Sequence, residues 1–327
     1  MSVSKLIGVL GFLAMTLVAI PWIIVATGRS DLYYTLTSVA LLAIASGGVW
    51  LTFYIGRINI GQAAYALLGG YVSAILIVRY GVPFWFTLPL AGLLCAGASV
   101  LIGVPILRMR GVYFAMVTLV LTEVARLLAL ALPVTNGAKG LVNIPLPGSV
   151  TLFGIELLPD FAALDNPRRA FYFAAVVLMV VCYAGLYRLV HSRIGRLCLS
   201  LQQNEELATS IGVNVAYLRL VIYAISSFLG GIAGAMFIAI SQSIYPSSFT
   251  TADSINFMLN CFLGGLAYVL GPILGTFLLY FGWDLLFKAG QFQLLIFSSV
   301  LIVLMLTLPN GLLSLRPWKQ MKGAVGG

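Results

Sequence analysis

Glu123 and Arg126 lie three residues apart in the apolar run VTLVLTEVARLLALAL. At that spacing both side chains share one helix face and can pair. A charge midway along such a run is costly unless it is paired or faces water. Two roles fit: a gate or relay beside a path through an apolar medium, or a structural tie to a neighbouring helix. A second chemical cluster sits in LQQNEELATSIGVNVAYLRL (201–220), where Glu205 and Glu206 follow Gln202, Gln203 and Asn204 and run into an apolar comb of Leu207, Ala208 and Ile211. Asn204 can cap a short helix over 205–211, with acidic residues favoured in its first turn. Gly212 suits the position just past its end. Two turns of helix do not persist alone in water. The apolar edge therefore needs a partner, either the chain's own base or a groove on another subunit.

Other chemistry is sparse. No G-x-x-x-x-G-K-[ST] occurs, and NGAKGL (136–141) lacks both the spacing and the hydroxyl after its lysine, so no P-loop binding of ATP is expected from this chain. H-E-x-x-H and G-x-S-x-G are also missing, which argues against an enzyme. The single histidine, His191, lies among Arg188, Arg193 and Arg196 and reads as an interfacial polar residue rather than a general base. Cys95, Cys182 and Cys261 sit in apolar blocks and Cys198 beside the polar insert, with no C-x-x-C pair, so neither a metal site nor a disulfide framework is indicated.

The elements that must position these groups follow from composition. Of 327 residues, 61% are hydrophobic and 8% charged, which makes lipid the solvent for most of the surface. The net charge of +9 comes without a basic cluster interleaved with aromatics, so a nucleic-acid partner is not expected. Apolar blocks at about 6–27, 32–55, 60–78, 84–106, 112–133, 170–187, 219–241, 255–287 and 291–309 suit membrane helices of about 20 residues. The first block is too long for a signal-peptide core and carries Pro21-Trp22 where a small-residue cleavage site would fall, so an uncleaved span is expected.

The block at 255–287 is broken by Gly264-Gly265 and Gly271-Pro272. It is either one long tilted helix or two short helices meeting at a turn. Placing both termini in the cytoplasm requires an even number of crossings, hence a split block and ten spans, with nine as the alternative. Eleven basic residues then lie inside and six outside, in keeping with the positive-inside bias. The expectation is an all-α polytopic bundle forming one transmembrane domain over 1–327, with an external loop at about 134–169 and a cytoplasmic loop at about 188–219.

RINIGQAAYALLGGYVSAIL (57–76) and FLGGLAYVLGPILGTFLL (262–279) are the glycine-interrupted segments, at Gly61, Gly69 and Gly70 and at Gly264, Gly265 and Gly271. Aligning Gly61 with Gly264 also matches Ala64 with Ala267 and Tyr65 with Tyr268, a hint of an internal repeat. Broken segments point to a transport path, because exposed backbone at membrane depth is tolerated only around a cavity or inside protein. Close helix packing through small residues explains the same glycines without a path. Asn59, Gln62, Asn256 and Asn260, with Glu123 and Arg126, are the candidate path residues. Voltage-sensor arginine helices and a TVGYG-like filter are absent. An ion-coupled carrier would be expected to hold several intramembrane carboxylates where only Glu123 is available.

Six stretches carry a family resemblance. EELATSIG holds E-x-A-x-x-x-G as Glu206, Ala208 and Gly212, similar to the loop of ABC-importer permeases whose coupling helix docks in a cleft of the ATP-binding subunit. GRINIGQAAY (56–65), RMRGVYFAMVTLVLTEVAR (108–126), TNGAKGLVNIP (135–145), LGGLAYVLGPILG (263–275) and LPNGL (308–312) resemble, in order, elements of the branched-chain amino-acid permeases of the LivM type. Asn136 stands where that family usually has Gly, Ala267 replaces a Gly, and Gln202-Gln203 replace a common charged pair. Thr209 and Ser210 make the coupling helix more polar than usual. The resemblance implies a permease subunit in a prokaryotic inner membrane, with no cofactor of its own. Its implied partners are a second permease, two cytoplasmic ATP-binding subunits and an external solute-binding protein. Related permeases carry urea and short amides, so the solute stays open at this stage.

Overall fold

A computed structural model describes residues 31–109, 111–152, 155–158, 160–161, 163–164, 166–210, 212–286, 290, 292–307 and 311. Within lipid the backbone can satisfy its amides only through its own ladder, so apolar runs of spanning length become helices. They are α1 (Asp31–Phe53), α2 (Gln62–Tyr80), α3 (Phe84–Ile106), α4 (Val112–Ala131), α5 (Pro167–His191), α6 (Arg193–Gln203), α7 (Glu205–Ser210), α8 (Val215–Ser241), α9 (Thr251–Gly264), α10 (Gly271–Leu285) and α11 (Gln293–Thr307). Six of these, α1 to α5 and α8, are long and apolar enough to cross a membrane. The fold is the expected all-α bundle, with one small addition. Val150–Leu152 pairs antiparallel with Ile155–Leu158 in the loop after α4. The first apolar block, Ile211 and the basic tail lie outside the described residues.

The 33-residue block is split into two short helices meeting at a turn, the second of the two forms the sequence allows. A Thr250–Asp253 capping box starts α9, and Gly265, at φ +108°, ends it. The chain then turns over 265–270 into α10, which runs back along α9. A Cβ on Gly264 would lie 1.7 Å from the Gly271 carbonyl oxygen, and one on Gly275 1.8 Å from that of Asn260, so only glycine permits this approach. The Trp50 indole N–H donates to the Leu266 carbonyl at 2.8 Å, satisfying backbone that the break leaves outside the ladder. At 14 and 15 residues, each helix is shorter than the roughly 20 of a full crossing.

The other interrupted segment is corrected by the structure. Gly69 and Gly70 lie inside the continuous helix α2, and the break falls before it, over 57–61. Gly69 and Gly70 serve packing, because α8 crosses α2 with the two backbones nearly touching. A Cβ on Gly234 would sit 1.8 Å from the Ala66 carbonyl oxygen, and one on Gly69 2.3 Å from that of Gly231. The suspected repeat also fails. Ala64 and Tyr65 are helical and buried, whereas Ala267 lies in a turn and Tyr268 is exposed.

Two ends of the bundle are defined by contacts between distant segments. At one end Gln202 Nε2 donates to the Phe53 carbonyl at 3.2 Å, and Phe53 meets Phe262 edge-on at 5.2 Å. The α6–α7 segment, the foot of α1 and the α9–α10 turn therefore lie together. At the other end Leu141 and Ile244 exchange backbone hydrogen bonds of 2.9 and 2.8 Å, joining the loop after α4 to the loop after α8.

The glycine contacts make a stability prediction. Gly234→Val should lower the stability of the detergent-solubilised chain by about 1–3 kcal/mol through overpacking. Gly185→Ala, whose Cβ meets nothing within 4 Å, should be neutral or stabilising by up to about 1 kcal/mol. Thermal unfolding followed by circular dichroism compares the two.

Candidate coupling segment and membrane polar groups

The water-facing segment begins where α5 ends. Ser192 caps α6, its Oγ accepting from Gly195 N at 3.4 Å, and a Cβ on Gly195 would collide with the Val190 carbonyl oxygen at 2.1 Å. Helix α6 is amphipathic, burying Gly195, Cys198 and Leu201 while Arg193 and Arg196 are exposed. The expected loop at about 188–219 thus contains a second helix, for which Ser192 and the three-residue spacing of Gly195, Cys198 and Leu201 are the local signal. Burial pushes the Cys198 thiol up to about 11.

Asn204 caps α7 as expected, its Oδ1 accepting from Glu206 N at 3.0 Å and Leu207 N at 3.1 Å. Gly212 ends the helix at φ +83°, its N–H donating to Thr209 O at 3.0 Å, in the left-handed region glycine enters without strain. Asn214 then caps α8 by accepting from Tyr217 N at 3.0 Å. The apolar comb divides. Ala208 is 1% exposed and packs on the chain itself, whereas Leu207 is 64% exposed beside Glu206, Thr209 and Ser210. Ile211 lies outside the described residues. Glu205 turns back to the foot of α8, where Arg219 grips both of its carboxylate oxygens.

The candidate path residues separate into two groups. Asn59, Gln62 and Asn260 are buried and bonded within the chain. Gln62 Nε2 donates to the Ser226 carbonyl at 2.8 Å, and Ser226 Oγ donates to the Gly48 carbonyl at 2.7 Å and to Gln62 Oε1 at 3.2 Å. Asn59 Oδ1 accepts from Gly61 N at 2.9 Å, while Thr118 Oγ1 accepts from Ile60 N and Ser254 Oγ from Ala63 N, each at 3.0 Å. Thr118 of α4 thus holds the unwound backbone before α2, and Ser254 of α9 holds the first turn of the helix itself. Asn260 Nδ2 donates to Ser46 Oγ at 2.9 Å.

Glu123, Arg126 and Asn256 instead lie towards the outside of the single-chain bundle, the pair 43% and 31% exposed. Arg126 Nε donates to both Glu123 carboxylate oxygens at 3.0 Å. The ion pair closes within α4 itself, at the i, i+3 spacing of one helix face. Among the described residues no group of three His, Cys, Asp or Glu could hold a metal ion.

A polytopic bundle with six helices long and apolar enough to cross a membrane, and a capped, exposed helix at one end, is the architecture of an integral membrane protein. The chain belongs to the family of branched-chain amino acid transport system permease components, whose model matches residues 32–309. It is 31% identical, over 96% of its length and 77% of the relative's, to the high-affinity branched-chain amino acid transport system permease protein LivM of Escherichia coli strain K12. A probable branched-chain amino acid transport permease protein LivH of Methanocaldococcus jannaschii is 25% identical over 86% of this chain and 91% of that one. The ribose import permease protein RbsC of E. coli K12 is 24% identical over 85% of each. No solved structure matches. The structure also gives a reason for the family glycine at position 136. Asn136 holds φ +59°, and asparagine is among the few other residues that tolerate this region.

The divided comb predicts a labelling pattern. In membranes opened to the reagent, Leu207→Cys should react with a maleimide at pH 7 at least about tenfold faster than Ala208→Cys. Native Cys198 should stay unlabelled, because its raised pKa keeps it a thiol well above neutral pH. Equal rates at 207 and 208 would contradict the burial described.

Proposed function

We propose that this chain is the permease subunit of an ABC importer moving branched-chain or related amino acids into the cytoplasm across a prokaryotic inner membrane. The observation that carries the reading is the α7 segment, a capped helix with an exposed apolar side chain, Leu207, on a chain whose sequence offers no P-loop. Its fit is to a cleft on an ATP-binding subunit, two of which would supply the energy. Family membership supports a second, similar permease and an external solute-binding protein. The charge bias supports a cytoplasmic side for the termini and the α6–α7 segment. The relatives' names span amino acids and ribose, which suits a design where the binding protein selects the solute and the permease needs no deep specific pocket.

The transport path is assigned to the seam between two permeases. The chain's own interior is occupied by bonded groups, Gln62 with Ser226 and Asn260 with Ser46. Of the candidate path residues, Glu123, Arg126 and Asn256 are the ones left towards the surface, where lipid would not solvate them. ATP-driven closure of the partner subunits would push on α7, and the helices would switch between outward-open and inward-open packings.

Replacing Gly212 tests the docking role. A Cβ there meets nothing within 4 Å, so a large side chain would project into the space the partner needs, while at φ +83° it would also strain the turn that ends α7. Gly212→Phe should abolish solute-stimulated ATP hydrolysis in the reconstituted complex while leaving membrane insertion intact; normal coupled hydrolysis would refute docking. Glu123→Gln should lower uptake about tenfold, a loss of roughly 1.4 kcal/mol, without lowering the yield of folded chain. Intact uptake with a reduced yield would make the pair structural. Gradient-driven uptake by proteoliposomes holding only this chain would replace the importer with an ion-coupled carrier.

A further inference from the structure

The foot of α8 carries a charge contact that neither the path nor the docking surface uses. Arg219 is buried at the fifth position of the helix. Its Nη1 donates to Glu205 Oε1 at 3.1 Å and its Nη2 to Glu205 Oε2 at 2.7 Å. This is the fork-on-carboxylate geometry that fixes relative orientation as well as distance. The covalent connection between α7 and α8 is of another kind, since it runs through Gly212 at φ +83°, outside either helix. The turn itself is held by Val213 N donating to Ala208 O at 3.1 Å and by the Asn214 cap. The bidentate pair adds a direct side-chain link between the first residue of α7 and the foot of α8.

From Arg219 one stripe of α8 leads into the core. Tyr223, Ser226 and Gly230 follow at i+4, i+7 and i+11, spacings that share a helix face. Tyr223 Oη is 3.0 Å from Tyr65 Oη of α2. Ser226 binds Gln62 at the first position of α2, directly after the unwound 57–61 segment. A Cβ on Gly230 would lie 2.9 Å from Gln62 Nε2. The same face therefore joins the water-facing helix at its foot and the start of α2 two turns further on.

We propose that the Glu205–Arg219 ion pair is the joint that turns movement of α7 into movement of α8, and through Tyr223 and Ser226 into movement of the unwound start of α2. Both residues act as positioning residues, with no contact to solute or nucleotide required. The inference rests on the coupling role given to α7 above and adds the route by which that role reaches the membrane core.

The test uses the full importer complex in proteoliposomes, reading ATPase retention, ATP hydrolysis and solute taken up per ATP. Glu205→Gln and Arg219→Gln should keep the ATP-binding subunits bound but lower uptake per ATP about tenfold, the scale of a close pair's coupling energy. Arg219→Lys, which keeps the charge and loses the fork, should show a smaller loss with the same retention. The double reversal Glu205→Arg/Arg219→Glu should recover most of the coupling lost in the single variants. Unchanged uptake per ATP in the single variants overturns the joint. So does a double reversal as uncoupled as they are with the ATPases still bound. Both results would leave the importer reading standing. If the unmodified chain retains no ATP-binding subunits, the importer reading falls and takes the joint with it.

Discussion

The crossing of α8 over α2 is the contact on which the arrangement depends. Where Gly234 faces Ala66 and Gly69 faces Gly231, the helices approach so closely that no side chain fits between them. In lipid, apolar side chains gain little by leaving one apolar surface for another, so close van der Waals packing through small residues has to hold helices together. This approach sets the height of α8 relative to α2 and so brings Ser226 to Gln62 and Tyr223 to Tyr65. A larger residue at the crossing would shift every contact along that stripe.

Around this crossing the chain keeps two stretches of non-helical backbone, 57–61 before α2 and 265–270 between α9 and α10. Both are held by side chains. Thr118 accepts from the Ile60 amide of the first stretch, Asn59 closes a local turn there, and Ser254 accepts from Ala63 just inside α2; Trp50 donates to the second. Backbone that breaks the ladder at membrane depth survives only with such partners. Because those partners come from α4, α9 and α1, any relative movement of these helices must exchange hydrogen bonds at the breaks. A movement of that kind switches between discrete arrangements rather than sliding continuously.

The charged groups follow the same economy. Arg57 donates to the Met109 carbonyl at 2.7 Å and lies over the Phe114 ring, while Glu123 with Arg126 and Glu205 with Arg219 form bidentate pairs. The two acidic pairs differ in kind. One closes within a single helix; the other joins two helices across a glycine turn. Only the second can carry orientation from one element to another.

Much of this protein was legible in its sequence. The lipid-facing character, the helices α1 to α5 and α8, the cap at Asn204, the stop at Gly212 and the split of the 255–287 block are all properties of contiguous residues: apolar length, capping side chains and turn-forming glycines act over a few positions. What required the tertiary structure was the role of each polar or small residue. Gly69 and Gly264 look alike in sequence, yet one sits inside a helix facing Gly231 and the other ends a helix against Gly271. Gln62 and Asn256 are both polar residues in apolar blocks, but one is bonded to Ser226, 164 positions away, and the other is exposed. The division of Leu207 from Ala208 and the meeting of Glu205 with Arg219 were settled in the same way. Local sequence fixes whether a helix forms and where it stops; which neighbour each of its faces meets is decided by segments far along the chain, through contacts that no local pattern encodes.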